Sequence, residues 1–351
     1  MQAWRVVRYG APGEALVLDE VAVPQPGPGE LLVQVRTSAA NYNEVDGCFG
    51  RYRTVDPPLP YTLGMEVCGT VVATGPPSPA GAGGDVWVGR RVLATAVGAF
   101  GGHAQYVVVD ADMTFDAPES LDDVAAGAFF FPFHVAWLAL FERGRLQPGE
   151  WLLVHAGAGG VGSAAVQLGV AAGARVIATA GSPEKVAFCR ELGAEVAIDY
   201  RASDFVAGVL AATDHRGVDV VCDLVGGDTT ARTFRVVATG GRHVLAGFSG
   251  GIEAEDEGAL VPRPIIFGNF SVCGVMLSYR SDPSGPRRAA GVNCLPRSTG
   301  ERVQRELVGL LDAGRIRPIV GRVASWHDLP AELDRMAARA TTGRTVLDWR
   351  A

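Results

Sequence analysis

The twelve residues WLLVHAGAGGVG, at positions 151–162, indicate how the chain folds. The apolar residues that open the stretch predict a buried strand, and the run VGSAAVQLGVAA at 161–172 predicts a helix. Between them, Gly157, Gly159 and Gly162 form the pattern GxGxxG. A strand, a glycine-rich turn and a helix in this order are typical of a dinucleotide-binding fold.

The glycines of this turn have separate predicted tasks. Gly157 permits the tight turn, Gly159 lets the backbone approach the pyrophosphate, and Gly162 lets the helix pack close to the strand. The helix N-terminus then offers free N–H groups to the phosphates. The alternative is a plain strand–turn–helix connection without a ligand, and the order of the elements favours the cofactor. The candidate cofactor-binding residues here are Gly157, Ala158, Gly159, Gly160, Val161 and Gly162.

The end of the next strand bears on which dinucleotide binds. NAD sites usually place Asp or Glu about 20 residues after the turn, to hold the ribose 2′-hydroxyl. Here the stretch at 178–182 is Ala-Thr-Ala-Gly-Ser, without an acid. Ser182, Lys185 and Tyr200 are candidates for binding a 2′-phosphate. We therefore predict NADPH, although Lys185 is also compatible with a solvated lysine in the first turn of a helix.

The rest of the chain divides into two kinds of pattern. Residues 1–121 contain short apolar or alternating runs between turn clusters, which predict a β-rich region. From 151 to 246 strands and helices alternate, which predicts a parallel sheet covered on both faces. The tail at 302–349 contains an amphipathic helix and further strands, and we expect it to pack on the N-terminal region.

Composition and charge argue against several classes of protein. The chain has 351 residues, 48% of them hydrophobic, and a net charge of −7 without a dominant Lys/Arg block. These values argue against a nucleic-acid or anionic-membrane partner. The six cysteines form no CxxC pair, and no signal-type segment or uninterrupted run of about 20 apolar residues is present. We expect a soluble cytoplasmic protein.

Several motifs in order resemble the quinone oxidoreductase (zeta-crystallin-like) family of the zinc-free medium-chain dehydrogenases/reductases. They are PGPGE at 26–30, Asn41-Tyr42, Gly50-Arg51-Tyr52, Gly64-Met65-Glu66 and the glycine turn, with Gly343-Arg344 before the last strand. The resemblance covers nearly the whole chain. Gly181 joins Ser182, Lys185 and Tyr200 in the set that selects NADPH in this family. We also assign Ala246, Gly247, Phe248 and Arg344 to the cofactor site.

The resemblance implies an α/β fold with two domains. A GroES-like, β-rich catalytic domain is expected from residues 1–121 and 298–351, and a Rossmann domain with a doubly wound parallel sheet from 122–297. The active site would lie in the cleft between them. The resemblance also implies a homodimer joined through Rossmann edge strands, here at Ser271 to Leu277.

Two residues argue against a catalytic zinc. Zinc enzymes of this superfamily use a Cys early in the chain and the His of a Gly-His-Glu motif. Asn41 stands in the first position and Met65 in the second, and neither is a reasonable zinc ligand. Without a Lewis acid, hydride acceptors such as quinones and activated C=C bonds are favoured over simple alcohol chemistry.

The predicted activity is hydride transfer from NADPH to a quinone. Asn41 is a candidate hydrogen-bond donor to the substrate oxygen or the cofactor, and Tyr52 a candidate proton donor. Two alternatives stay open: reduction of an enone, alkenal or enoyl-thioester double bond, and a crystallin-like protein that binds NADPH without turnover. Three departures from the family leave the acceptor open: Asp46, Val135 and a long loop at 279–300.

Overall fold

The computed structural model describes residues 1–51, 57–77, 85–250, 261–286 and 292–350. The chain forms two compact units. Unit 1 comprises Met1–Phe131, Ser278–Asp312 and Val320–Ala351, and unit 2 comprises Pro132–Leu277 and Ala313–Ile319. Tyr52, the predicted proton donor, lies outside the described residues.

The alternating runs of the first 120 residues form the strands of unit 1, as predicted. These are β1 (Gln2–Val6), β2 (Leu16–Glu20), β3 (Glu30–Ala39), β4 (Tyr61–Thr62), β5 (Glu66–Thr74), β6 (Arg91–Ala96) and β7 (Tyr106–Asp116). Short helices accompany them: α1 (Pro12–Ala15), α2 (Tyr42–Cys48) and α3 (Asp123–Gly127). The next helix, α4 (Phe130–Trp137), lies mostly in unit 2 and continues there as a π-helix over Leu138–Arg143.

Unit 2 contains the alternating strands and helices. Its strands are β8 (Trp151–Val154), β9 (Arg175–Ala180), β10 (Val196–Asp199), β11 (Val218–Asp223), β12 (Val237–Leu245) and β13 (Ser271–Gly274). Its helices are α5 (Gly160–Ala171), α6 (Pro183–Glu191), α7 (Phe205–Ala212), α8 (Gly227–Thr233) and α9 (Pro262–Gly268). All pairings are parallel, in the order β10-β9-β8-β11-β12-β13. This is the strand order 3-2-1-4-5-6 of a Rossmann sheet, so the predicted doubly wound fold is confirmed.

The C-terminal tail returns to unit 1. It supplies β14 (Tyr279–Arg280), β15 (Leu295–Pro296), α10 (Arg297–Asp312), β16 (Val320–Ser325), α11 (Leu329–Ala337) and β17 (Arg344–Asp348). β17 pairs with β3, which in turn pairs with both β5 and β7. The expectation that the tail packs on the N-terminal region is therefore confirmed. A core that includes Trp4, Val33, Trp326 and Leu347 fills this unit.

Two strands of unit 2 have irregular features. β12 begins at Val237, which pairs with Val218 before an irregularity in the ladder that separates it from the pair Val220 and Arg242. β13 ends at Gly274, three residues before the predicted Leu277.

The predicted loop at 279–300 contains β14, β15 and the first turn of α10. Tyr279 at its start is fully buried, and its ring meets the Phe115 ring edge-on at 5.9 Å.

The predicted domain boundaries at 121/122 and 297/298 stay a prediction. By contacts, α3 and residues 278–297 belong to unit 1. Thr37 donates a hydrogen bond to the Asp123 carbonyl, and the Tyr279 amide contacts Met113 Sδ.

No helix in the described ranges is both long and apolar enough to cross a membrane. The cytoplasmic location stays a prediction.

Candidate functional site

The glycine turn connects β8 to α5, and two of its glycines are required by packing. A Cβ on Gly162 would lie 2.1 Å from the Ala156 carbonyl oxygen, and one on Gly157 would lie 2.9 Å from Ala178 Cβ. Both distances are shorter than a real side chain tolerates. These two glycines therefore bring the turn and the helix close to the sheet.

Gly159 has a different environment. A Cβ there would meet only the Ala156 oxygen, at 3.3 Å. Gly159 is also the N-cap of α5 and provides no side chain to bind the first N–H groups of the helix. The outer side of the turn is therefore open to an anion, which the N–H groups of Gly160 and Val161 would face. These features fit the pyrophosphate of a dinucleotide.

The carboxyl end of β9 carries the residues predicted to select NADPH. Gly181 lies against Tyr200, since a Cβ at 181 would be 2.7 Å from the phenol oxygen. Ser182 is the N-cap of α6, and its Oγ accepts the Lys185 backbone N–H at 3.3 Å. The structure thus brings Gly181, Ser182, Lys185 and Tyr200 to one edge of the sheet.

The sequence reasoning overlooked Glu184 in the same turn. This exposed carboxylate hydrogen-bonds with the Ser182 side chain, and that bond lowers the pKa of Glu184. A negative charge therefore lies beside the position predicted for a 2′-phosphate. Its presence two residues after Ser182 is the signal that could have found it.

The segment Ala246–Phe248 follows β12 and lies beside the turn that follows β11. The Ala246 N–H donates to the Asp223 carbonyl at 2.8 Å. A Cβ on Gly247 would lie 3.2 Å from the Leu224 oxygen, and one on Gly226 would lie 3.4 Å from Phe248 Cα. The carboxyl ends of β8, β11 and β12 thus form one edge, where ligands bind in open parallel sheets.

A buried polar network lies beneath this edge, and the sequence analysis did not predict it. His155 follows β8 and contacts Thr179 Oγ1 at 3.0 Å and Thr233 Oγ1 at 2.8 Å. Burial lowers the pKa of His155 to about 4, so the ring is neutral at neutral pH. Since Thr233 donates its own proton to the Thr229 carbonyl, His155 Nε2 is the donor to Thr233.

Asp223, at the end of β11, is the acid of this network. Burial alone would raise its pKa, but a hydrogen bond from His243 and further contacts hold the pKa below the usual range. Asp223 is therefore ionised at neutral pH. We call Asp223, His243, His155 and Thr230 the Asp223 network.

A second buried polar cluster lies in unit 1 and includes Asn41, which stands at the first of the two zinc-ligand positions named above. Asn41 Nδ2 donates to the Ala39 carbonyl at 3.0 Å and to Glu66 Oε1 at 3.2 Å. Arg344 Nη1 donates to Asn41 Oδ1 at 2.9 Å, and its Nη2 pairs with Glu66. We call Asn41, Glu66 and Arg344 the Arg344 cluster.

These contacts bear on the role predicted for Asn41. Arg344 can only donate and the Ala39 carbonyl can only accept, so the orientation of the amide is fixed. Both Nδ2 hydrogens are then occupied, and a donation to a substrate would require one of these bonds to be exchanged. The predicted role of Asn41 stays a prediction.

Arg344 is 6% exposed, and burial lowers the pKa of its guanidinium to about 10, while the charge of Glu44 raises it. The guanidinium therefore stays charged at neutral pH. Its Nε has no hydrogen-bond partner among the residues that the structure describes. Its role in cofactor binding stays a prediction.

Met65 is 5% exposed, and its N–H donates to Glu44 Oε1 at 3.0 Å. Glu44 Oε2 accepts from the Asn41 N–H and from His103 Nε2. Within the described part of the chain, no group of three or more His, Cys, Asp or Glu side chains is arranged to hold a metal. The backbone at both of the superfamily's ligand positions is instead held by one buried carboxylate.

Two family models match the chain. The alcohol dehydrogenase GroES-like domain matches residues 27–119, and the zinc-binding dehydrogenase domain matches residues 160–285. Pig quinone oxidoreductase is 28% identical over 99% of this chain and 97% of its own length. The chain belongs to the zinc-free, quinone oxidoreductase-like family of the medium-chain dehydrogenases/reductases. Members of the superfamily bind NAD(P), and unit 1 and unit 2 correspond to the GroES-like and Rossmann-like parts.

Two further relatives are similar to this chain over most of its length. A mycobacterial protein solved in complex with NADPH is 28% identical, with a TM-score of 0.84 and 99% of each chain covered. A phenolphthiocerol/phthiocerol polyketide synthase of Mycobacterium tuberculosis is 36% identical over 95% of this chain. The chain spans 14% of the length of that synthase.

Proposed function

We propose that this chain is an NADPH-dependent oxidoreductase that reduces a quinone by hydride transfer. The observation that carries the proposal is the glycine turn of unit 2, open on its outer side, together with a β9 end that has no acid at 178–182. The mycobacterial relative solved with NADPH supports the choice of cofactor.

Each group of residues in unit 2 has a part in binding the cofactor. The backbone N–H groups at 158–162 bind the pyrophosphate, since the helix dipole and the free N–H groups both favour an anion. Ser182, Lys185 and Tyr200 bind the 2′-phosphate by hydrogen bonds and charge. When bound, NADPH supplies a hydride from its nicotinamide. The protein's own task is to orient donor and acceptor and to exclude water.

A quinone is the proposed acceptor because pig quinone oxidoreductase matches over nearly the full length of both chains. Reduction of a quinone needs one hydride and one proton. We propose Tyr52 as the proton donor and Asn41 as a residue that orients the acceptor, both from the family resemblance. In this structure the Arg344 cluster holds Asn41 in one fixed orientation.

An enoyl thioester is the second candidate acceptor. The 36% identity with a segment of the polyketide synthase favours it. In that reaction the hydride adds to the β-carbon of the C=C bond, and a proton adds to the α-carbon. Both candidates use the same cofactor site, so the acceptor alone separates them.

Steady-state rates with NADPH test the proposal. The acceptor panel is 1,4-benzoquinone, 9,10-phenanthrenequinone, a 2-alkenal and crotonyl-CoA. The quinone proposal predicts the highest kcat/KM with a quinone, and a preference for crotonyl-CoA would replace it with the second candidate. NADPH binding without turnover of any acceptor would instead support a non-catalytic binding protein.

We also propose a homodimer joined at β13. Among the described residues this strand lies at the edge of the Rossmann sheet, where its outer N–H and C=O groups can pair with a further strand. Next to it, Ile266 and Phe267 of α9 are 68% and 76% exposed. Apolar side chains beside an open strand edge are typical of an interface. Sedimentation analysis tests this, and a monomer at micromolar concentration would contradict it.

A further inference from the structure

Asp223 shapes the backbone at the end of β11. Its side chain is fully buried, and its Oδ1 accepts the Val225 N–H at 2.9 Å and the Gly226 N–H at 3.1 Å. A carboxylate that accepts N–H groups two and three residues ahead holds the chain in a turn. Gly226, with a φ of 81°, completes this turn in a conformation that favours glycine.

The other carboxylate oxygen ties two neighbouring elements to the same point. Thr230 Oγ1 of α8 donates to Asp223 Oδ2 at 2.5 Å, and His243 Nε2 of β12 donates at 3.0 Å. One buried charge thus receives four hydrogen bonds from three elements. Charge-assisted bonds in a buried site are stronger than neutral ones, so the arrangement is rigid.

This turn is the support on which the segment Ala246–Phe248 lies. A Cβ on Gly226 would lie 3.4 Å from Phe248 Cα, and one on Gly247 would lie 3.2 Å from the Leu224 carbonyl oxygen, so the two segments are neighbours. The Ser249 N–H also donates to the Leu224 carbonyl at 3.0 Å. A shift of the 224–226 turn would therefore move the 246–248 segment at the cofactor edge of the sheet.

We infer that Asp223 is a positioning residue for the cofactor, which sets the 224–226 turn and, through it, the segment Ala246–Phe248. The inference rests on the proposed NADPH site. His243 is the donor that completes the arrangement from the next strand, and its other ring nitrogen, Nδ1, has no partner among the described residues. His243 therefore acts through its contact with Asp223.

The same strand supplies a matched control at its opposite end. Asp219 is another acid of β11, partly buried, and its Oδ2 accepts the Trp151 N–H at 2.8 Å and pairs with Arg216. Asp219 lies at the amino end of the parallel strand, away from the edge where the cofactor binds. The variants Asp223→Asn and Asp219→Asn make the same chemical change. They differ in the end of β11 at which the change is made.

The experiment compares the affinity of the full chain for NADPH by fluorescence titration, with the melting temperature recorded for each variant. In Asp223→Asn one carboxylate oxygen becomes an NH₂ group, which faces either the N–H groups of Val225 and Gly226 or the side chains of Thr230 and His243. Hydrogen bonds to the buried charge are weakened or lost in both orientations. We expect the Kd for NADPH to rise about tenfold or more, which corresponds to a loss of about 1.4 kcal/mol or more of binding free energy. Asp219→Asn is expected to leave the Kd within about twofold of the wild type.

If Asp223→Asn does not fold, a pair of variants at His243 tests the same inference. His243→Leu removes the donor, and His243→Gln restores an N–H near the position of Nε2. We expect His243→Leu to raise the Kd for NADPH and His243→Gln to return it toward the wild-type value. A Kd unchanged in both His243→Leu and Asp223→Asn, or raised equally in Asp219→Asn, would overturn the inference. A wild-type chain that does not bind NADPH would overturn the proposed function instead.

Discussion

The two units bury polar clusters that handle charge in different ways. In the Arg344 cluster of unit 1, a guanidinium is paired with the Glu66 carboxylate and fixes the Asn41 amide. In the Asp223 network of unit 2, one carboxylate is held by hydrogen-bond donors while His155 stays neutral. The stability of unit 1 is therefore expected to fall when one partner of its ion pair is removed. The stability of unit 2 is expected to fall when His155 must be protonated.

The largest expected effect is in unit 1. Arg344→Met leaves Glu66 buried without its partner, which typically destabilises a protein by about 3–5 kcal/mol. Urea unfolding measures the change. The double variant Glu66→Gln with Arg344→Met removes both charges and is expected to recover part of the loss. A loss below about 1 kcal/mol in Arg344→Met would contradict the role of the ion pair.

The pH dependence of stability tests the expected sensitivity of unit 2 to protonation. The pKa of His155 is lowered from 6.5 to about 4 in the folded chain by burial. Between these values the unfolded chain binds the proton and the folded chain does not, so stability falls as pH falls from 6.5 to 4. The full shift corresponds to about 3 kcal/mol.

Unfolding by urea at pH 7 and pH 4.5 measures this loss, with His155→Gln as the control. The variant has no imidazole to protonate, so it is expected to lose less stability than the wild type over this range. Equal losses in both chains would show that other groups cause the pH dependence.

Two glycines of the turn in unit 2, Gly162 and Gly159, are expected to respond differently to the same substitution. Gly162→Ala places a Cβ 2.1 Å from the Ala156 oxygen, and overpacking of this kind costs about 1–3 kcal/mol of stability. Gly159→Ala meets only one atom, at the longer distance of 3.3 Å, so it is expected to lose less stability than Gly162→Ala. Its Cβ would instead face the pyrophosphate and weaken NADPH binding. Thermal unfolding and NADPH titration of both variants separate the two effects, and a stable Gly162→Ala chain would contradict the packing account.

The smallest expected effect concerns Glu184. Its exposed carboxylate hydrogen-bonds with the Ser182 side chain, so Glu184→Gln removes a repulsion toward a 2′-phosphate at this position. We expect the preference for NADPH over NADH to rise by about two- to fivefold, because the interaction of an exposed charge is weakened by solvent. The ratio of the two kcat/KM values measures it, and a fall in this ratio would place the 2′-phosphate elsewhere.

The sequence predicted the elements whose signals are local. The glycines of the turn, the proline at the start of α6 and the apolar runs of β8 and β11 each lie within a few residues of the structure that they specify. The order of these elements was enough to predict the Rossmann sheet, because parallel strands need helical crossovers.

The polar clusters could not be predicted in this way. Asn41 and Arg344 are 303 positions apart and meet only because β17 pairs with β3. Asp223 and His243 are 20 positions apart and meet because β11 and β12 are neighbours. A polar residue at the end of an apolar strand was visible in the sequence, but its partner depends on strand order and register.

The proposed function depends on a preference of unit 2 for NADPH over NADH. Equilibrium titration of the wild-type chain with both dinucleotides measures this preference, with Lys185→Ala as the matched variant. We expect tighter binding of NADPH, and a loss of that advantage by about tenfold in Lys185→Ala with NADH binding nearly unchanged. Equal or tighter binding of NADH by the wild type would contradict it.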